Sequence, residues 1–133
     1  MAYQGGCLCG GIRFQIQGKI TNIVYCHCSQ CRKVQGSAFA TNGVVDLNEF
    51  VISQGKELMS GFESSPGKTK YFCRQCAAPI YSDNVELPGV VRVRLGTIES
   101  EITERPEAHI FVGSKANWHT ICDDLPQFEE FPA

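Results

Sequence analysis

Seven of the eight cysteines in this 133-residue chain lie in three short clusters, and this arrangement limits the fold more than any other feature. The clusters are Cys7-Leu8-Cys9, Cys26-His27-Cys28-Ser29-Gln30-Cys31 and Cys73-Arg74-Gln75-Cys76. Thiolates at such spacings are typical ligands of soft cations, most often zinc. Two pairs supply one closed four-sulfur site, whereas a triplet leaves one position of a tetrahedral ion free. The sequence therefore predicts two zinc ions, one structural and one with room for chemistry.

Length and composition predict one soluble globular domain spanning residues 1–133. The chain is 43% hydrophobic and 20% charged, and its formal net charge is −2. Metal-bound thiolates would make the protein more acidic still. A nucleic-acid partner is not expected, because such proteins carry a basic surface.

The chain has no apolar run long enough to span a membrane, and Met1 to Gly6 does not resemble a signal peptide. We therefore expect a cytoplasmic protein with no membrane partner. Clustered cysteines in the reducing cytoplasm are more often metal ligands than disulfides.

The pattern of apolar residues predicts a mainly β fold of short antiparallel strands with little helix. Alternating side chains indicate strands at 12–17 and 91–95, and shorter apolar runs indicate further strands at 23–26, 38–45, 68–73 and 109–112. A hairpin is predicted from 50–53 and 58–62, joined by a turn at Gln54-Gly55-Lys56. Helix is predicted only from an N-cap at Ser29 to Val34, with Gly36 just beyond it, and at 115–121. The end, 123–133, is predicted to be coil.

Cys7, Cys9, Cys73 and Cys76 are predicted to form the structural site. Residues two apart in extended backbone point to the same face, so Cys7 and Cys9 can share one ion. Binding all four would close a long loop and couple folding to metal. The alternative is a set of buried thiols without metal. If the residue after the second pair has positive φ, Ala77 is strained there.

Cys26, Cys28 and Cys31 are predicted to hold the second ion from one side. The fourth ligand could be water or a substrate thiol, which makes the ion a Lewis acid. It could instead be Cys122, which would close the site, although a lone cysteine with apolar neighbours is more often a core residue. His27 is expected to point away from the metal, and Arg32 and Lys33 would offset the negative charge.

Four stretches of the sequence carry a resemblance to a known family. They are Gly6-Cys7-Leu8-Cys9-Gly10-Gly11-Ile12-Arg13-Phe14; Cys26-His27-Cys28-Ser29-Gln30-Cys31-Arg32-Lys33 with Gly36 and Phe39; Phe72-Cys73-Arg74-Gln75-Cys76 with Pro79-Ile80-Tyr81; and His109-Ile110-Phe111-Val112 with Ser114-Lys115, Trp118 and Leu125-Pro126-Gln127-Phe128. On these residues, nearly the whole chain resembles the glutathione-dependent formaldehyde-activating enzymes, a family that also includes centromere protein V.

The resemblance implies an Mss4-like β fold, a structural zinc at the four paired cysteines, and a labile catalytic zinc at the triplet beside a bound thiol. It implies a carbon–sulfur lyase acting on a small aldehyde, such as formaldehyde, and on glutathione or a similar thiol. Arg32, Lys33 and Lys115 are candidates to hold a substrate carboxylate. Trp118 is expected in the core or, less readily, in the pocket wall.

Two other functions fit the same residues. A non-catalytic zinc-stabilised binding module would keep both ions tightly, and a redox sensor would release zinc from the triplet on oxidation. Exposed sheet edges also allow a homodimer.

Overall fold

A computed structural model describes residues 2–132, so Met1 and the last residue of the predicted terminal coil, Ala133, lie outside the described residues. The strands of this part of the chain are Tyr3–Gly6 (β1), Arg13–Ile16 (β2), Thr21–Cys26 (β3), Ala40–Asp46 (β4), Phe50–Gln54 (β5), Met59–Ser65 (β6), Lys68–Cys73 (β7), Pro79–Asn84 (β8), Val90–Arg94 (β9) and Ala108–Ile110 (β10). One α-helix, Ser29–Gln35 (α1), is present among the described residues. Short 3-10 turns occupy Leu47–Glu49, Lys56–Leu58, Leu95–Thr97 and Val112–Ser114.

The strands form two sheets, which confirms the predicted mainly β fold. The smaller sheet has the order β1-β2-β5, and the larger has the order β10-β3-β4-β9-β8-β7-β6. Neighbouring strands are antiparallel except for β10, which runs parallel to β3. β6 lies at one edge of the larger sheet, and a homodimer through such an edge stays a prediction.

The main core follows from the alternation of apolar side chains along the strands. In β2, Phe14 and Ile16 are buried while Arg13 and Gln15 are half-buried, and in β9 Val91 and Val93 are buried. A second, smaller cluster contains Cys26, Cys31, Ala40 and Ile110. The triplet is therefore part of the packed interior at the beginning of α1.

The predicted hairpin at 50–62 is wrong. β5 pairs with β2 in the smaller sheet, whereas β6 pairs with β7 in the larger one. The turn itself is present, and Gly55 has φ +77°, but a Cβ there would collide with the carbonyl of Gly11. This close approach holds the chain against the first cysteine loop while it crosses between the sheets.

The helix predictions are partly confirmed. α1 ends at Gly36, which has φ +62° as a left-handed C-cap, but its N-cap is Cys28 instead of Ser29. The Cys28 sulfur accepts a hydrogen bond from the backbone N–H of Cys31 at 3.3 Å, which satisfies one free donor of the first turn. The helix predicted at 115–121 is wrong, because this segment is irregular. The Lys115 ammonium donates to the backbone carbonyls of Ala116 and His119 in it. Among residues 2–132, no helix has the length and apolar character needed to cross a membrane.

Candidate metal centres and the adjoining cavity

The four paired cysteines converge on one point. Their sulfurs all lie within 4.8 Å of one another, with Cys7 to Cys9 at 3.5 Å and Cys9 to Cys73 at 3.8 Å. Sulfurs bound to one tetrahedral zinc are about 3.8 Å apart, given a Zn–S distance of about 2.3 Å. Cys7 follows β1 and Cys73 ends β7, so this cluster joins a loop of the smaller sheet to a strand of the larger. The four donors fit zinc and could hold it.

Backbone N–H groups around this cluster favour thiolates. The Cys7 sulfur accepts from the N–H of Ile12 at 3.2 Å. Burial opposes ionisation of Cys76, but backbone N–H donors of Ala78 and Cys9, together with the neighbouring thiols of Cys73 and Cys7, lower its pKa to about 6. These donors favour the thiolate forms of Cys7 and Cys76, which are the forms that bind metal, whereas the neighbouring Cys7 helps to raise the pKa of Cys9 to about 11.

Ala77 follows the second pair and has φ +66°, so the condition under which the sequence predicts a strained alanine is met. Its N–H donates to the carbonyl of Cys73 at 2.7 Å, which closes the tight turn that brings Cys73 and Cys76 together. The side chain is exposed, so the cost of this position is conformational and does not come from packing.

The triplet forms where β3 passes into α1. Cys26 ends the strand, Cys28 caps the helix and Cys31 lies in its first turn, and the three sulfurs lie within 4.8 Å of one another. Hydrogen bonds from the thiols of Cys26 and Cys31, together with the backbone N–H of Cys31, lower the pKa of Cys28 to about 2. The proximity of this thiolate raises the pKa values of Cys26 and Cys31. The cluster thus concentrates negative charge and could hold one metal ion.

Cys122 does not join the triplet. Among the described residues, the triplet cluster contains no fourth cysteine, histidine or carboxylate. Cys122 is exposed, and its thiol donates to the carbonyl of Thr120 at 3.5 Å. The prediction of a core position for Cys122 is therefore wrong, because the irregular segment that carries it leaves the side chain exposed.

His27 lies between two of the triplet cysteines and faces away from the cavity that they line. It is completely buried, and its Nε2 is 2.8 Å from Nδ1 of His109. Nε2 of His109 lies 3.0 Å from the carboxylate of Asp123. Burial, followed by the neighbouring His109, lowers the pKa of His27 to about 4. The three side chains form a chain of contacts from the surface to the loop that carries the triplet.

Trp118 lies near this chain but not in the core. Its side chain is 69% exposed, which contradicts the expected core position, and it is not among the residues that line the cavity. The reason is that the segment after Lys115 is an irregular turn, which presents the indole to solvent.

A cavity of about 400 Å³ opens over the triplet. Its floor is the face of the larger sheet that carries Val24, Cys26, Asn42, Arg92 and Arg94, since side chains two apart on a strand share a face. The remaining lining residues come from α1, from β6, β7 and β8, and from the C-terminal third of the chain; they are Cys28, Ser29, Gln30, Cys31, Ser64, Ser65, Lys68, Thr69, Lys70, Ser82, Asp83, Asn84, Ile110, Phe111, Ser114 and Phe131.

The cations that line this cavity are Lys68, Lys70, Arg92 and Arg94. Sequence reasoning missed them, although the alternation at 91–95 already placed both arginines on one face of a strand. Burial lowers the pKa of Arg94, while the thiolates of the triplet act in the opposite direction. The part of the cavity beside the triplet sulfurs is therefore negative, whereas the part of the sheet that carries Arg92 and Arg94 is positive.

The cations predicted from sequence occupy other places. Arg32 donates from Nε to the carbonyl of Ser114 at 3.1 Å, at the rim of the cavity. Lys33 is exposed on α1, and Lys115 is engaged with backbone carbonyls. None of the three is among the residues that line the cavity.

Known proteins match both the sequence and the fold. A protein of Halomonas elongata, provisionally named a glutathione-dependent formaldehyde-activating enzyme, is 29% identical over an alignment of 133 positions, gaps included, that covers 91% of this chain and 82% of the relative. A crystal structure of a Rhodobacter sphaeroides protein shares the fold, with a TM-score of 0.62 and 19% identity over 75% of this chain and 91% of the other. The model of the glutathione-dependent formaldehyde-activating enzyme family matches residues 2–114. The chain belongs to the glutathione-dependent formaldehyde-activating enzyme family.

Proposed function

We propose that this protein is a zinc-dependent carbon–sulfur lyase that acts on the adduct of glutathione, or a similar thiol, with a small aldehyde such as formaldehyde. The observation that carries the proposal is that Cys26, Cys28 and Cys31 line a cavity of about 400 Å³ and face its interior without a fourth protein ligand among the described residues. This volume lies in the range of small-molecule sites.

In this proposal, one zinc is held by Cys7, Cys9, Cys73 and Cys76 and stabilises the fold. A second, more labile zinc is held by Cys26, Cys28 and Cys31. When bound, it supplies Lewis-acid stabilisation of a thiolate.

The chain's own residues bind and orient the substrate. Lys68, Lys70 and Arg92 line the cavity and would attract the carboxylates of a thiol such as glutathione. Arg32, Lys33 and Lys115 stay predicted carboxylate partners, and Arg32 contacts Ser114, which lines the cavity. The side chains of Phe111 and Phe131 form an apolar wall that excludes water from part of the site.

The reaction itself needs no external oxidant or reductant. The sulfur of the thiol forms a bond to the carbonyl carbon of the aldehyde, the carbonyl π bond breaks, and the proton lost by the thiol ends on the carbonyl oxygen. The reverse reaction releases the aldehyde. A cytoplasmic setting belongs to the proposal, because reduced thiols are maintained there.

The proposal is tested by exchange spectroscopy with ¹³C-formaldehyde and glutathione, because the uncatalysed reaction also approaches equilibrium. We expect the zinc-loaded protein to accelerate exchange between the hydrate and the thiol adduct, and Cys28→Ser to abolish the acceleration while the first metal stays bound. Protein with two bound zinc ions that accelerates exchange with neither glutathione nor other small thiols would contradict the proposal.

A non-catalytic binding module is distinguished by metal retention. In the enzyme, a chelator such as EDTA should remove one of two zinc ions much faster than the other, because three protein ligands hold an ion less firmly than four. Two equally slow releases would favour the binding module.

A further inference from the structure

The floor of the cavity contains two buried polar side chains that the protein leaves incompletely bonded. Asn42 in β4 is directly opposite Arg94 in β9, and their side chains are only 6% and 3% exposed. Within residues 2–132, Oδ1 of Asn42 and Nε of Arg94 have no hydrogen-bond partner. Buried polar groups are nearly always paired, because an unpaired one loses its bonds to water and gains none in return.

One terminal nitrogen of the Arg94 guanidinium is hydrogen-bonded within the protein. Its Nη1 donates to the hydroxyl of Ser82 at 3.3 Å and to the carbonyl of Arg92 at 3.2 Å. These bonds hold Nη1 against the sheet, and Nε is left as a buried donor without an acceptor. Nε of Arg94, a free donor, and Oδ1 of Asn42, a free acceptor, thus belong to residues that are directly opposite each other on neighbouring strands.

The pair lies beside the triplet. Asn42 is opposite Val24, which is two residues before Cys26 on β3, so Val24 and Cys26 share the cavity face. Asn42 is therefore one strand away from Cys26 across the sheet and two residues away from it along the strand direction. A molecule whose sulfur reaches the triplet would extend its neighbouring atoms over the pair.

We propose that Asn42 and Arg94 recognise the main-chain N–H and C=O that flank the α-carbon of a peptide-like thiol, the carbon that carries the CH₂–SH group. Nε–H of Arg94 donates to the carbonyl oxygen, and Oδ1 of Asn42 accepts from the N–H. The inference rests on the proposed function, since it places the thiol sulfur at the triplet.

The chemistry of the pair selects this class of ligand. A carboxylate offers only acceptors and would leave Asn42 unpaired, while an ammonium offers only donors and would leave Arg94 unpaired. In extended backbone, the N–H and C=O of one residue point to the same side, as they do between paired strands. An acylated cysteine with a carbonyl after it therefore matches both side chains at once.

Neither free atom is exposed to solvent, so contact with a ligand requires each side chain to rotate slightly into the cavity. This movement gives a direct readout, because the ¹⁵N resonance of Arg94 Nε should shift when the ligand binds.

The test uses three probe thiols without aldehyde, so that binding is measured apart from catalysis. N-acetylcysteine N-methylamide has both the N–H and the C=O, N-acetylcysteamine keeps only the N–H at that position, and ethanethiol has no polar group besides the thiol. Calorimetric titration of the zinc-loaded wild type should rank them in this order, with steps of several-fold to about tenfold for each group.

Two variants assign each contact. Asn42→Leu should weaken the first two probes about tenfold, and Arg94→Lys, which keeps the charge but lacks Nε–H, should weaken only the first. Binding of ethanethiol should change less than about twofold in both. An equal loss for all three probes, or no loss for any, would overturn the inference.

If a variant does not fold, the inference can still be tested with the wild-type protein alone. Equal affinities of the wild type for the three probe thiols would contradict it. If the ranking and the variant pattern hold but exchange of formaldehyde is not accelerated, the proposed function fails while the subsite stands. If exchange is accelerated and the ranking is flat, the subsite alone fails.

Discussion

At the scale of single residues, Ala77 offers a test of conformational strain beside the first cluster. Alanine at φ +66° costs about 1–2 kcal/mol relative to ordinary backbone, whereas glycine adopts this conformation freely. Because glycine also gains entropy in the unfolded chain, we expect Ala77→Gly to raise the free energy of unfolding by about 0.5–1 kcal/mol. Urea denaturation of the zinc-loaded protein measures this change.

The neighbouring Ala78 provides the matched control for that substitution. It is not among the described residues with positive φ, so Ala78→Gly should lower stability by about 0.5–1 kcal/mol. If both substitutions destabilise the protein equally, Ala77 is not strained.

His109 tests the buried chain of contacts behind the triplet. His109→Phe keeps an aromatic ring near Tyr25 and His27 but leaves Nε2 of His27 without a partner. An unsatisfied buried polar group costs about 1–3 kcal/mol, and we expect a loss of that size in the free energy of unfolding. Thermal or urea denaturation followed by circular dichroism measures the loss.

Asp123→Asn is the comparison for this substitution. It keeps an acceptor near Nε2 of His109 and leaves the contact between the two histidines intact, so its effect should be clearly smaller. An effect as large as that of His109→Phe would show that the carboxylate, and not the histidine pair, stabilises this region.

At the scale of elements, α1 depends on Gly36 to end at the correct residue. Gly36 has φ +62°, and a Cβ there would have no neighbour within 4 Å in the described part of the chain, so substitution carries a backbone cost without a clash. We expect Gly36→Ala to lower the free energy of unfolding by about 1 kcal/mol.

Gly96 is the control for this change, because it too has open space around it but lacks positive φ. Gly96→Ala should be neutral or slightly stabilising, since alanine reduces the freedom of the unfolded chain. Equal losses at both positions would indicate that the C-cap conformation of Gly36 is not what matters.

At the scale of the whole molecule, the first cluster connects the two sheets, whereas the triplet is local to one turn. Cys9 and Cys73 are 64 residues apart, so an ion held between them ties distant parts of the chain together. We expect Cys9→Ser to lower the free energy of unfolding by several kcal/mol, a large share of the roughly 5–15 kcal/mol of a typical domain.

Cys28→Ser should lower the same quantity much less, because Cys26, Cys28 and Cys31 lie within one strand-to-helix turn. Serine can also keep a helix-capping acceptor at position 28. Melting temperatures of both zinc-loaded variants provide the comparison. If Cys28→Ser is as destabilising as Cys9→Ser, the division into a structural and a functional site is wrong.

The sequence alone determined the features that depend on short spacing along the chain. The clusters at Cys7, Cys26 and Cys73, the end of α1 at Gly36 and most of the strand predicted at 91–95 follow from local backbone geometry, which a few neighbouring residues define. The positive φ of Ala77 came only from the structure, since the sequence predicted strain there only if φ were positive.

Only the tertiary structure decided which distant elements meet. It paired β5 with β2 instead of β6, exposed Trp118 and Cys122, and joined His27 to His109 across 82 residues. It also brought Lys70 and Arg94 to the cavity from different strands. The physical reason is that strand pairing and side-chain burial depend on the free energy of the whole packed chain, whereas ligand spacing and backbone conformation are set within a single turn.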